Sequence, residues 1–233
     1  MEATVIAVIG ASGGLGCSTA AAHLAARASA RPVCLLDGDT DAGAVDVTAG
    51  VDHVLGPRWG DFGGLRGRAD GAAILSALPA GSRYAVLAGG RGGAPAEVVQ
   101  AVVAGLRQIC GLVVVDVGRH RNLTPELLRP DDLVLVLTGL GVRHLADLDR
   151  ISDDVGELAA PVHLITRGPK GLGHLGEVVA THVGLPVLGH WSDDAGVARD
   201  LERGVSPGAR RRGFDALADA ALDLVRRDLR RSA

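Results

Sequence analysis

The chain has 233 residues, 47% hydrophobic, 22% charged and only 2% aromatic, so it is long enough to bury a core of Val, Leu, Ile and Ala and is neither a disordered nor a fibrous chain. A formal net charge of −3 excludes the basic surface expected of a strong nucleic-acid binder, and Lys170 is the single lysine. Cys17, Cys34 and Cys110 are too few and too scattered for a disulfide framework or a zinc site, no apolar run is long enough to cross a bilayer, and no basic leader opens the chain, so a cytoplasmic protein is expected.

The predicted elements alternate. Residues 4–9 read as a buried strand, followed by a glycine-rich turn over 10–16 and an alanine-rich helix over 18–30. Strands follow at 32–36 and 84–87, a helix at 96–109, strands at 112–115 and 133–137, a helix at 142–155, a strand at 162–165, a helix at 174–183 and a short strand at 187–188. A last helix over 209–230 carries Phe214, Leu217, Ala218, Ala221, Leu222, Val225 and Leu229 on one face, which closes the sheet. Such alternation predicts one α/β domain over 1–233 with a mostly parallel sheet flanked by helices. The stretch 55–71, dense in Gly and Arg, breaks the rhythm and reads as an excursion above the sheet. Its Trp59 reads either as an apolar anchor for a partner or as a side chain packed on its own sheet.

The turn Gly10-Ala11-Ser12-Gly13-Gly14-Leu15-Gly16-Cys17-Ser18-Thr19 lies between strand and helix. Glycines allow backbone amides to face an anion, and the helix dipole behind them favours negative charge, so the turn predicts a phosphate site. The plainer alternative is a tight turn with no ligand. Gly10, Gly14 and Gly16, with Asp37 placed 21 residues after Gly16, resemble the cofactor loop of NAD(P)-binding short-chain dehydrogenases. The catalytic Tyr-x-x-x-Lys pair of that family has no counterpart, because Tyr84 is followed by Ala88 and Lys170 is preceded by Thr166.

Ser12-Gly13-Gly14-Leu15-Gly16-Cys17-Ser18 is similar to the deviant Walker A loop of the MinD/ParA ATPases at every glycine and at the hydroxyl, and departs from it at both lysines, replaced by Ser12 and Cys17. Asp37-Gly38-Asp39, trailed by Asp46, resembles the Asp-x-Asp segment of that superfamily, and the run 112–116 ending at Asp116 resembles its Walker B strand. The run 185–189, with Asp194, Val197, Ala198, Leu201 and Gly204, is similar to the end of the fold. More narrowly, the segments 56–62, 67–71, 77–79 and 115–119 resemble the CpaE-like, septum site-determining (Ssd) proteins, relatives of TadZ of Tad pilus and secretion systems. Many members carry a receiver-like domain ahead of the ATPase strand, and this chain is expected to act without one.

The resemblance implies a P-loop NTPase-like fold binding ATP or ADP with Mg²⁺. By it, Ser12, Gly13, Gly14, Leu15, Gly16, Cys17, Ser18 and Thr19 hold the nucleotide, and Arg167 belongs to the base-contacting loop. Ser18, Asp37 and Asp116 hold the metal, and Asp39 orients the attacking water. Ser18 and Thr19 also read as plain helix caps, and Cys17 reads as a reactive thiol or, preferably, as a small uncharged filler. Arg119, His120 and Arg121 would bring charge to a switch loop or simply lie on the surface, and His23 is expected to be structural. Phosphoryl transfer needs cations on the transferring oxygens. The two missing lysines therefore imply weak or absent ATPase activity in a localisation or regulatory protein. It would act through a homodimer or a septum or pilus-secretion partner, and be recruited to pole or septum by that partner.

Overall fold

A computed structural model describes residues 2–41, 43–118 and 127–231. The β-branched and leucine-rich runs form seven strands: β1 (Thr4–Gly10), β2 (Val33–Asp37), β3 (Ala85–Leu87), β4 (Leu112–Gly118), β5 (Leu133–Gly139), β6 (Val162–Gly168) and β7 (Val187–Ser192). All pair in parallel, in the order β3-β2-β4-β1-β5-β6-β7. The helices are α1 (Cys17–Arg27), α2 (Val45–Ala49), α3 (Gly71–Ala77), α4 (Ala96–Arg107), α5 (Val142–Gly156), α6 (Leu175–Val183), α7 (Ala195–Glu202) and α8 (Asp215–Arg231).

The two-residue period of the strands divides the core. Ile6 and Val8 of β1, Val114 of β4 and Leu135 of β5 face a layer built on α1 and α8. Val5, Ala7, Val113 and Val134 face the layer of α4, α5 and α6. Because the central strands are covered on both sides, they read as unbroken apolar runs. The alanines of α1 let it lie close to the sheet, with Ala20, Ala21, Ala22 and Ala25 all fully buried.

The chain leaves β1 toward β2 on one side and reaches β5 on the other, so β1 sits between β4 and β5. Ligands in open α/β sheets bind at such a reversal, beyond the carboxyl ends of the strands. The glycine turn, Asp37, Asp116 and Arg167 all lie at that edge.

Several elements depart from the expected pattern. The excursion holds a 3-10 turn at Trp59–Phe62, and α3 follows it, capped by the Asp70 carboxylate accepting from Ala72 and Ala73 N–H at 3.0 and 3.1 Å. The helix α7 is capped in the same way by Asp194, which accepts from Gly196 N–H at 2.7 Å. The last helix begins at Asp215 rather than at 209. The residues before it are drawn away: Arg210 and Arg212 donate to Asp200 of α7 at 3.1 and 2.8 Å, and Gly208 packs on Ala26 of α1. Among the described residues no helix is long and apolar enough to cross a membrane.

Candidate functional site: the glycine loop and the acids beside it

Gly14 and Gly16 adopt φ of 76° and 86°, the left-handed region that glycine enters without strain. Gly16 immediately precedes α1, and no side chain caps the helix there. The first-turn amides of α1 are thus left for another acceptor. At the start of the loop Gly10 approaches its own far end: an added Cβ would lie 2.7 Å from Cys17 Sγ and 2.9 Å from the Ser12 carbonyl oxygen.

Ser18 does not cap α1; its hydroxyl acts to lower the pKa of the Asp116 carboxylate, which accepts from Gly118 N–H at 3.2 Å. Asp116 at the end of β4 is the register partner of Asp37 at the end of β2. Asp37 accepts from Asp39 N–H and Val45 N–H, each at 3.1 Å. Burial pushes Asp37 up to about 7, with the Asp116 charge acting in the same direction against those amides. Burial also raises Asp116, opposed by the Ser18 hydroxyl. Asp39 sits half-buried on the next turn, its carbonyl accepting from Gly43 N–H at 3.1 Å. Thr19 is buried, and its carbonyl meets His23 Nδ1 at 3.1 Å. His23 is itself buried against Phe214, as a structural histidine would be.

Arg167 reaches the loop from the end of β6. Its Nη1 donates to the Leu15 carbonyl at 2.5 Å, its Nε to Asp193 at 3.3 Å, and its guanidinium lies 4.5 Å from the centre of the Trp191 ring. On the other side of the loop Ser12 Oγ donates to Asp147 of α5 at 2.7 Å, and Asp147 also pairs with Arg150. An open cavity of about 1080 Å³ lies there between Ser12–Gly14 and α5.

No protein-family model matches the chain. Two curated relatives, the uncharacterized proteins MT3760 and Rv3660c of Mycobacterium tuberculosis, are each 33% identical over 220 residues, 93% of this chain. The chain spans 61% of the length of those relatives. Among solved structures, a ParA family ATPase from Chlorobium tepidum superposes with a TM-score of 0.79 at 16% identity, over 94% of this chain and 98% of that one. The MinD cell division protein of Aquifex aeolicus gives 0.72 at 19% identity, over 97% of each chain. The septum site-determining protein MinD of Pyrococcus horikoshii, complexed with Mg-ADP, gives 0.69 at 16% identity, over 97% of this chain and 95% of that one.

The fold is that of the MinD/ParA ATPases. The sheet order also separates it from the dinucleotide-binding fold, in which the first two strands are neighbours; here β4 lies between them. Within the MinD/ParA fold the glycine loop and Asp37, Asp39 and Asp116 gather at one edge, as their sequence spacing predicts. The two positions where the resemblance expects lysine are occupied differently. Cys17 is buried, its thiol pushed up to about 12 by burial and by Asp116, so the reactive-thiol reading fails and the filler reading stands. Ser12 is tied to α5.

Trp59 is 1% exposed and donates its indole N–H to the Asp37 carbonyl at 2.8 Å, so it packs on its own sheet and is not a surface anchor. Three residues at the site escaped the sequence reading. Trp191 and Asp193 lie on or just beyond β7, a strand read too short because Gly189 and His190 interrupt its apolar run. Asp147 sits in α5, where a carboxylate on a polar helix face carries no distinguishing signal. Arg119, His120, Arg121 and Ala42 lie outside the described residues.

Proposed function

We propose that this chain is a degenerate MinD/ParA-like domain of the CpaE-like, Ssd type that binds ATP or ADP with Mg²⁺ and hydrolyses it weakly or not at all. The observation that carries this reading is the buried register pair Asp37 and Asp116 beside Ser18, next to a helix terminus without a side-chain cap. A hydroxyl and two adjacent buried carboxylates form a hard-oxygen donor set, which suits Mg²⁺. Ser18, Asp37 and Asp116 would hold the ion, and the loop amides over 13–19 would hold the phosphates. The bound ion would neutralise phosphate charge and the carboxylate pair together. Asp39 would orient water. The protein cations that stabilise a transferring phosphoryl group are missing at Ser12 and Cys17, and losing one such group lowers turnover by roughly 10²–10³.

A chain of the MinC:MinD cell division protein complex of Aquifex aeolicus superposes on this chain with a TM-score of 0.71 at 18% identity, over 97% of this chain and 96% of that one. By that likeness a protein partner surface around the loop would read the nucleotide state in septum-site or Tad pilus/secretion positioning, and a second copy of the chain would associate with little control by nucleotide. A contact scaffold that binds no nucleotide is the second reading, favoured by the engagement of Ser12 with Asp147 in place of a mobile cation. Calorimetric titration with Mg-ATP, Mg-ADP and NADPH separates them. The first reading expects binding of the adenine nucleotides that requires magnesium. Binding of NADPH alone would overturn it, and binding of none of the three would leave the scaffold.

A further inference from the structure

Arg167 and Trp191 are register partners across the β6–β7 pair. Side chains at such positions rise on the same face of a parallel sheet. The guanidinium therefore lies on the indole, 4.5 Å from the ring centre, and Trp191 is in turn backed by Phe214 at 4.6 Å between ring centroids. Both aromatic side chains are fully buried, so the shelf beneath Arg167 is rigid. Asp193, which continues from β7 and is held to Gly168 by a backbone bond of 2.9 Å, takes the Nε end of the guanidinium. A planar group fixed from one face and one edge has little freedom left.

Its Nη1 meets the glycine loop at one point, the Leu15 carbonyl. The next residue is Gly16, where an added Cβ would lie 2.4 Å from Nη1 and 3.2 Å from the Trp191 ring. The loop thus presses against Arg167 at the turn into α1. Arg167 also acts to lower the pKa of Cys17, which marks its charge as felt at the position that lacks the lysine.

We infer that Arg167, held by Trp191, clamps the Leu15–Gly16 turn and sets the conformation in which the loop amides receive phosphate. Trp191 is a positioning residue that acts through Arg167. Since neither loop lysine is present, the clamp brings a cation to the loop from β6, two strands away from β1 in the sheet. The inference rests on the phosphate-binding reading for its purpose, but the clamp itself is testable without nucleotide.

Hydrogen exchange read by mass spectrometry on peptides covering residues 11–19 is the test, on the natural chain, R167Q, W191F, W191L and R167Q/W191L. Loop opening appears as faster exchange confined to those peptides. R167Q and W191L should each speed exchange there about tenfold, with peptides of β5 and α4 unchanged. W191F keeps an aromatic face and should stay near the natural rate. The double variant should be no faster than either single one, because both remove the same contact. R167Q alters a partly exposed side chain, so it reports on the clamp even if W191L fails to fold. Unchanged loop exchange in R167Q, or additive effects in the double variant, would overturn the inference. In parallel, R167Q should weaken Mg-ADP binding about tenfold, one step of the affinity scale. Weaker binding with unchanged loop exchange would mean that Arg167 touches nucleotide directly, and would also overturn it. If the natural chain binds no nucleotide, the functional reading falls while the exchange data still decide the clamp.

Discussion

Asp37 and Asp116 face each other as register partners at the ends of β2 and β4, each with 4% of its surface exposed. Two carboxylates so placed resist ionising together, and a nearby cation relieves both. The amides of Asp39 and Val45 hold the Asp37 carboxylate and the amide of Gly118 holds that of Asp116, so the pair is built and not accidental.

The pair makes stability depend on pH. Burial pushes Asp37 up to about 7, whereas in the unfolded chain it titrates at about 3.9. The folded state keeps its proton longer, so this contribution to stability is complete below about pH 4 and is lost as pH rises through about 7. Asp37→Asn removes the titration, whatever constant offset the amide adds. The difference in melting temperature between Asp37→Asn and the natural chain, in magnesium-free buffer, should shift by several degrees in favour of the variant between about pH 5 and pH 8. A difference that stays flat would mean that Asp37 ionises freely in the fold. Magnesium should raise the natural melting temperature more at the higher pH.

Cys17 should be inert. Its thiol is buried and held near 12, and Cys34 and Cys110 are also buried. Thiol labelling at about pH 8 should be complete in denaturant and negligible without it, because the thiolate is the reactive form. Cys17→Lys should strengthen Mg-ADP binding about tenfold, roughly 1.4 kcal/mol, by restoring a cation beside the loop. An unchanged affinity would indicate that the loop amides do not receive the phosphates.

Trp59 supports the site from beneath. Trp59→Phe keeps the ring packing but leaves the Asp37 carbonyl without its indole donor, at a cost of about 1–3 kcal/mol. Denaturant titration should detect that loss with the association state unchanged. A change of oligomer without loss of stability would restore Trp59 to an interface.

The buried pair of Arg107 and Asp132 lies at the opposite edge of the sheet. Asp132 accepts from Val5 N–H at 2.7 Å, and Arg107 donates to the Ala3 carbonyl at 3.0 Å. Asp132→Ala leaves a buried guanidinium unpaired and should cost about 3–5 kcal/mol. Nucleotide affinity per folded molecule should not move. An equal loss of both would contradict the separation of core and site.

The sheet and most helices were legible because period and apolar runs report burial directly. Val5 to Val8 and Val113 to Val114 are hidden on both faces, and the sequence offers them as unbroken runs. Asp37 and Asp116 were legible as acids because each follows an apolar strand run. Less visible were α3 and α7, whose signal is one capping acid, Asp70 or Asp194, ahead of a short apolar stretch. The Arg167–Trp191–Phe214 stack joins residues far apart in the chain, and only the register of β6 on β7 brings them together. The same holds for Ser12 and Asp147, which are 135 residues apart.

That last contact bears on association. The resemblance to the MinD/ParA ATPases implies a lysine at this position that would reach a second copy's phosphates, but Ser12 carries no charge and donates to Asp147 of its own α5 at 2.7 Å. The Asp147 carboxyl is lowered from its usual range by the Ser12 hydroxyl first and by Arg150 and Arg143 with it, so it stays ionised and keeps the bond. A loop fastened to its own helix gives nucleotide no charged handle on a second copy. Light scattering of the natural chain should therefore give the same mass with and without Mg-ATP. Ser12→Lys combined with Cys17→Lys puts a cation at each position, and that variant should gain association that depends on Mg-ATP. A natural chain that dimerises only with Mg-ATP would show that another group bridges the copies. A double variant that stays indifferent to nucleotide would show that the lost lysines are not what uncouples association from binding.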